Sequence, residues 1–342
     1  MKKFYLQGTD IVTVKNAFGA LPVQRRSIED GAKLLRAAFD GGMTYFDTAR
    51  AYSDSEEKIG VAFAGVPRDR YYIATKTAAT TPEAFFSDLH TSLTNLKTDY
   101  VDVYQFHQAT RVYCPGDGTG MYEAMQEAKR QGKIRFISIT SHRIEVAESA
   151  VKSGLYATLQ FPFSYLASER ELALSALCKD NNVGFIAMKA LAGGLINNAK
   201  AAFAFIDTFD NVLPIWGVQK QEELDEWLSF FKDSPAMSDE IQAFIEEEKK
   251  ALSGSFCRSC GYCMPCPMGI QINQCARMSH MIRRAPQKVW LGEYWQNEMK
   301  KIPSCINCRR CVSKCPYSLS VPELLKANYE DYFAVLSGKT KI

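Results

Sequence analysis

Eight of the eleven cysteines in this chain of 342 residues form two runs, at 257–266 and 305–315, that each close with Cys-Pro. Cys257, Cys260, Cys263 and Cys266 read C-x2-C-x2-C-x2-C-P, and Cys305, Cys308, Cys311 and Cys315 read C-x2-C-x2-C-x3-C-P. Such short steps fold the chain back on itself, so that three thiolates reach one cubane iron–sulfur cluster and a fourth, beyond a bend, reaches another. A segment so punctuated is built around what its thiols hold.

Two other uses of cysteine compete with this one. Disulfides need an oxidising compartment, but the N-terminus MKKFYLQGTD lacks the apolar run of a secretion signal and no apolar stretch is long enough to span a membrane, so a cytoplasmic setting is expected. Zinc also takes paired C-x2-C steps, but zinc ribbons and fingers usually separate the pairs by a dozen or more residues. Here the steps follow without a gap and end on Pro267 or Pro316. Two oxygen-sensitive 4Fe-4S clusters are therefore expected. Of the other thiols, Cys114 is unremarkable, Cys178 sits in an apolar helical stretch, and Cys275 is close enough to the first run to be a spare ligand.

The rest of the chain has ample material for a core, with 46% hydrophobic and 23% charged residues, enough for one large domain and a smaller unit. A net charge of +3, with scattered basic residues, gives no footprint for nucleic acid. Arg258, Arg309, Arg310 and Lys314 crowd the cysteine runs, where they can offset cluster charge, dock an acidic electron carrier, or simply face solvent.

Upstream, short apolar runs alternate with segments of helical period. After a hairpin-like opening (Phe4 to Leu6, Ile11 to Val14), strands are predicted near 16–18, 44–46, 72–75, 101–106, 134–139, 158–161, 184–188 and 212–215. Helix starts lie between them: Ser27-x-x-Asp30, Thr81-Pro82 and Ser168-x-x-Glu171. Eight strands with crossover helices predict an α/β fold, a closed (β/α)8 TIM barrel, over residues 1–235. Residues 236–255, with Glu246 to Lys250 and then Ser-Gly-Ser, read as a solvated helix and linker, and 256–342 as a small, mainly helical ferredoxin-like iron–sulfur domain ending in a helical pattern at 322–336. No G-x-G-x-x-G follows an early strand, so a Rossmann site is not indicated.

Barrel enzymes place their chemistry at the C-terminal ends of strands. Asp47 follows Thr44-Tyr45-Phe46, Lys76 follows Tyr72 to Thr75, and His107 follows Val103 to Phe106, so three consecutive strands deliver an acid, a base and an imidazole to one rim. Tyr52 lies in the loop beyond Asp47. Singly, an Asp after a strand is usually a cap and a Tyr usually packing; their joint occurrence at matching strand ends is harder to explain that way. Phe18, Tyr113, Phe163, Tyr165, Trp216 and His142 are further candidates for the mouth.

The stretch YFDTARAYSDSEEKIG, the Ala74–Lys76 tripeptide and Tyr104–His107 resemble the aldo/keto reductase superfamily over most of residues 1–235, and the distal part resembles a two-cluster ferredoxin module. Together they resemble bacterial aldo/keto reductases with a C-terminal 4Fe-4S domain. The resemblance implies a redox enzyme in which Asp47, Tyr52, Lys76 and His107 reduce a carbonyl or oxidise an alcohol. Tyr52 would give the proton, Lys76 would lower its pKa, Asp47 would hold the lysine, and neutral His107 would orient the substrate oxygen. It also implies NADP(H), with Thr140, Ser141 and Gln160 at the carboxamide and the Gly217–Glu223 loop, with Lys220, at the adenosine phosphate. Met188 stands where an aromatic ring commonly stacks on the nicotinamide, a departure from the pattern.

Three functions follow: direct hydride transfer, a cluster-fed reductase drawing single electrons from a ferredoxin or flavodoxin, and a non-catalytic electron-transfer protein. In the ferredoxin pattern the fourth cysteine of each run serves the other cluster, which groups Cys257, Cys260 and Cys263 with Cys315, and Cys305, Cys308 and Cys311 with Cys266. The x2 step before Cys266 departs from the usual x3.

Overall fold

The structure, a computed structural model, describes residues 3–252 and 256–341. Residues 253–255 of the expected linker lie outside the described residues. The chain divides into two compact units, Met1–Ala190 with Ala199–Gln242, and Leu191–Asn198 with Ala243–Ile342.

The first unit opens with an antiparallel hairpin, β1 (Lys3–Tyr5) and β2 (Val12–Val14), which pairs Phe4 with Thr13. Eight parallel strands then close a barrel: β3 (Ala17–Gly19), β4 (Tyr45–Asp47), β5 (Tyr72–Thr77), β6 (Val101–Phe106), β7 (Ile134–Thr140), β8 (Thr158–Pro162), β9 (Gly184–Met188) and β10 (Val212–Gly217), with β10 pairing back to β3. Phe4, Leu6 and Ile11 join Ala17, Tyr45, Ala74, Val103 and Leu213 in one buried cluster. The hairpin thus closes the barrel where the strands begin and leaves the opposite rim for chemistry. Gly184, first in β9, is a glycine for reasons of space: a Cβ there would lie 2.6 Å from the Gln7 carbonyl oxygen and 2.8 Å from Leu6.

The helices between strands are α1 (Ile28–Asp40), α2 (Ser55–Ala62), α3 (Pro82–Leu96), α4 (Met121–Arg130), α5 (Ile144–Lys152), α6 (Glu169–Asp180), α7 (Ala199–Asp207) and α8 (Gln221–Ser229). Local chemistry starts several of them. The Ser27 hydroxyl accepts from the Asp30 N–H at 3.1 Å, Thr81 caps α3 with Pro82 behind it, and Ser168 with Glu171 forms a full capping box on α6.

Several of the aromatic candidates for the mouth lie in the core. Phe18, Phe163, Tyr165 and Trp216 are buried. Phe163 packs edge-on against Phe185 and Phe209, and Trp216 stacks on Trp227 with centroids 4.0 Å apart. Residues alternate between the two faces of a strand, so an aromatic at a strand end faces the helices as readily as the barrel axis.

The second unit is helical. α9 (Asp239–Ala251) leads into it, and α10 (Ile272–Cys275), α11 (Met278–Arg284), α12 (Gln287–Trp290), α13 (Glu293–Met299), α14 (Arg310–Lys314) and α15 (Val321–Leu336) follow. The buried Asn328 of α15 accepts from the Ser279 N–H at 2.8 Å and donates to the Ala276 carbonyl at 3.3 Å. The Tyr332 hydroxyl donates to Trp290 O at 2.9 Å, and Arg283 pairs with Asp331 at 2.6 Å. α15 thereby braces the short helices around the cysteine runs. Among the described residues no helix is long and apolar enough to cross a membrane.

Candidate active site

The ends of β4, β5 and β6 bring an acid, an ammonium and an imidazole to one place. Asp47 is the last residue of β4, Lys76 lies near the end of β5, and His107 follows β6 directly. Lys76 Nζ donates to Asp47 Oδ1 at 2.6 Å and to Thr48 O at 2.6 Å. The other Asp47 oxygen accepts from the Gln105 amide at 3.2 Å, while the Gln160 amide reaches Oδ1 at 3.4 Å. Tyr52 covers this pair: its ring centroid is 5.4 Å from Lys76 Nζ and 5.7 Å from the His107 ring, which it meets edge-on.

Burial dominates the electrostatics. It pushes Asp47 up and Lys76 down, and the mutual charge and hydrogen bonds of the pair oppose it. With three donors on the carboxylate and two acceptors for the ammonium, we read the pair as ionised. The sequence led to the expectation that Lys76 would draw Tyr52 downward. Instead burial, and then the Asp47 charge, raises the phenol above its ordinary value. Burial thus favours the neutral, protonated phenol of Tyr52.

His107 is lowered to about 3, by burial first and then by the Lys76 and Lys189 charges. Because the folded value lies below the unfolded one, near 6.5, the unfolded chain binds more protons between these limits, and stability falls as pH drops from about 6.5 toward 3. The expected result is a His107 ring resonance that stays at its neutral-form position on titration from pH 7 down to about 5. A midpoint above pH 6 in the NMR titration would contradict it.

A second buried acid, Glu56 in α2, stands behind the lysine. It accepts from Thr75 Oγ1 at 2.7 Å, pairs with Arg50, and adds to the field favouring the Lys76 ammonium. Sequence reasoning does not single it out, because in Ser-Glu-Glu-Lys it reads as helix surface.

The expected cofactor contacts are less uniform. Among the described residues Gln160 Oε1 is buried with no hydrogen-bond partner, an acceptor suited to an amide N–H. Thr140 Oγ1 instead accepts from the Gln108 N–H at 2.8 Å, and Ser141 Oγ donates to Ala109 O at 2.8 Å, so both hydroxyls are engaged by the loop after β6. Met188 is half-buried at the end of β9. Gly217 and Lys220 are exposed, and the Gln219 and Lys220 N–H groups donate to Glu223. Arg25, distant in sequence, donates to Gln219 at 3.0 Å and brings a second cation to this loop.

In the second unit, Cys263, Cys266, Cys305, Cys308 and Cys311 line one cavity. Cys257 lies within electrostatic reach of Cys260 and Cys315, and Cys263 within reach of Cys257, Cys260 and Cys311. Cys275 and Cys178 are fully buried, and burial pushes each thiol up to about 12. Among the described residues no three His, Cys, Asp or Glu side chains converge on a single ion, and the five thiols lining one cavity are the donor set an iron–sulfur group takes.

A (β/α)8 barrel with a buried Asp–Lys pair, a covering Tyr and a neutral His at one rim defines an oxidoreductase barrel. The chain belongs to the aldo/keto reductase family, which it matches over residues 17–212, and residues 256–320 match a 4Fe-4S dicluster domain. It is similar to "Aldo-keto reductase YhdN" of Bacillus subtilis, 32% identical over 175 residues, covering 47% of this chain and 52% of that one. It is also similar to "Methylglyoxal reductase DkgB" of Salmonella typhi, 37% identical over 124 residues, covering 34% and 45%. The chain thus spans about half the length of these curated relatives. The fold is that of an aldo-keto reductase from Klebsiella pneumoniae in complex with NADPH, with TM-score 0.62 at 23% identity over 72% of this chain and 95% of the other. The holo form of AKR11C1 from Bacillus halodurans gives 0.64 at 20% identity, over 72% and 96%.

Proposed function

We propose that the protein is a cytoplasmic, NADP(H)-dependent carbonyl reductase that carries two 4Fe-4S clusters. The observation that carries the reading is the buried Lys76–Asp47 pair beneath Tyr52, with His107 at its edge. One relative is named a methylglyoxal reductase, and small aldehydes and ketones are the first substrates to try.

Bound at the mouth, NADPH would supply a hydride to the carbonyl carbon. Gln160 would hold its carboxamide, Met188 would cover the ring, and Arg25 with Lys220 would meet the adenosine phosphate. Everything else falls to the chain's own groups. Neutral His107 offers an N–H to the carbonyl oxygen and fixes its direction. Negative charge developing on that oxygen draws the proton of Tyr52, whose raised pKa keeps it protonated until then. The Lys76 ammonium stabilises the phenolate left behind, and Asp47, held by Gln105 and Gln160, keeps the ammonium in place. The test is carbonyl-dependent oxidation of NADPH by the anaerobically purified protein; inertness toward every carbonyl with clusters intact would count against the reading.

Bound clusters would supply one-electron transfer. The cavity shared by Cys266, Cys305, Cys308 and Cys311 supports the crossed grouping, as does the proximity of Cys257 to Cys315. Cys263 lines that same cavity and is the competing fourth ligand. Cys266→Ser is therefore expected to remove or convert only the cluster of the second run, seen as a loss of iron and of one electron paramagnetic resonance signal. Loss of the first-run signal instead would reverse the grouping.

A further inference from the structure

We infer that the rim of the thiol-lined cavity, formed by Met268, Ile306, Cys308, Arg309 and Arg310, is the docking face for an acidic one-electron carrier protein. The inference rests on reading residues 256–320 as a dicluster unit, and it holds whichever reaction the barrel performs.

Exposure sets this rim apart. Ile306 is 62% exposed and Met268 37% exposed, Cys308 is an exposed thiol, and Arg309 and Arg310 are both exposed. All five line the cavity that also holds Cys266, Cys305 and Cys311. A cluster held there would have an edge at the surface, reached through the Cys308 sulfur, with two large apolar side chains and two guanidinium groups around it. Exposed aliphatics beside a redox centre are what a transient electron-transfer complex buries; a solvated helix face would present neither.

Charge identifies the occupant. Residues 256–320 contain ten lysines and arginines against two acids, Glu293 and Glu298, whereas the rest of the chain carries 31 basic and 36 acidic residues. Glu298 is buried and paired with Lys301 at 2.6 Å, so it offers the rim no negative charge. Arg283 and Arg284 pair with Asp331 and Glu248 outside this stretch, and two clusters, each bound by four thiolates, would offset more of the excess, which leaves the positive charge concentrated at Arg309 and Arg310 on the rim. The remaining field steers an acidic partner and orients it with its own redox centre toward Cys308. The step is a single electron leaving the reduced carrier and entering the cluster behind Cys308, with no bond made or broken; two such encounters deliver a pair.

The test uses the full chain with its clusters, a photoreduced acidic bacterial 4Fe-4S ferredoxin as probe, and stopped-flow bleaching of the chain's clusters as readout. The parent is expected to react in a second-order phase that slows at least tenfold as salt is raised. The double variant Arg309→Glu, Arg310→Glu should slow it by about tenfold or more at low salt, while dithionite reduction, iron content and paramagnetic signals stay as in the parent. Ile306→Glu, which leaves the arginines in place, should weaken the encounter independently and covers the case in which the double variant loses iron. Ferredoxin rates unmoved by salt and by both variants would overturn the inference. So would binding to anionic phosphatidylserine vesicles with no reaction with ferredoxin, which would make the rim a membrane contact. A parent with no 4Fe-4S signal would fail at the earlier step, the dicluster reading itself.

Discussion

Tyr52→Phe is expected to lower kcat for carbonyl reduction by roughly 10²- to 10⁴-fold, the usual worth of a positioned general acid. The substitution removes one oxygen and leaves the ring, so the edge-on contact with His107 and the cover over Lys76 remain. Among the described residues the Tyr52 hydroxyl makes no hydrogen bond, which is why its loss should leave thermal stability close to that of the parent. Nucleotide affinity and iron content should also be unchanged. Steady-state kinetics with a reactive aldehyde check the prediction, and a kcat within about threefold of the parent would remove Tyr52 from the proton-donor role.

Lys76→Met is expected to act on both stability and rate. It strips Asp47 of its counter-ion in a site where the carboxylate is 2% exposed and the ammonium 1%, and it leaves Thr48 O without its donor. Breaking a buried pair in this way costs about 3–5 kcal/mol, because the surviving charge is stranded. The double variant Asp47→Leu, Lys76→Met should recover part of that loss, since no charge is left unpaired, yet remain catalytically dead for want of the ammonium beside Tyr52. Thermal unfolding and kinetics on the three proteins separate the two effects. A single variant as stable as the parent would show that the pair is not the buried ion pair described above.

The barrel is legible in the sequence because its signals are local. Ser27, Thr81 and Ser168 cap the helices they precede in sequence, and the eight apolar runs became the eight barrel strands. The gathering of Asp47, Lys76 and His107 followed from one rule, that strand ends share a rim. What escaped the sequence depends on side-chain direction or on distant partners. Trp216 and Phe163 differ from mouth residues only in which side of the strand they face. Arg25 reaches the Gln219 loop across 194 positions, and Glu56 is buried because Arg50 and Thr75 close over it. The segment Leu191–Asn198, which leaves β9 just beyond Met188, groups with the second unit because the buried Arg277 donates to Ala192 O and Gly193 O at 3.3 and 3.1 Å, and Arg284 to Leu195 O at 3.2 Å. Nothing in the local pattern of those eight residues announces that attachment.

Hydride transfer at the Tyr52 rim is the central claim, and isotope tracing tests it most directly. A single turnover of the anaerobic holoprotein with an aldehyde and NADPH deuterated at the transferable position, followed by mass spectrometry of the alcohol, reports where the new carbon-bound hydrogen originates. One deuterium on the former carbonyl carbon is the expected result. An alcohol that carries only solvent hydrogen at that carbon would contradict it and leave the clusters as the source of the electrons.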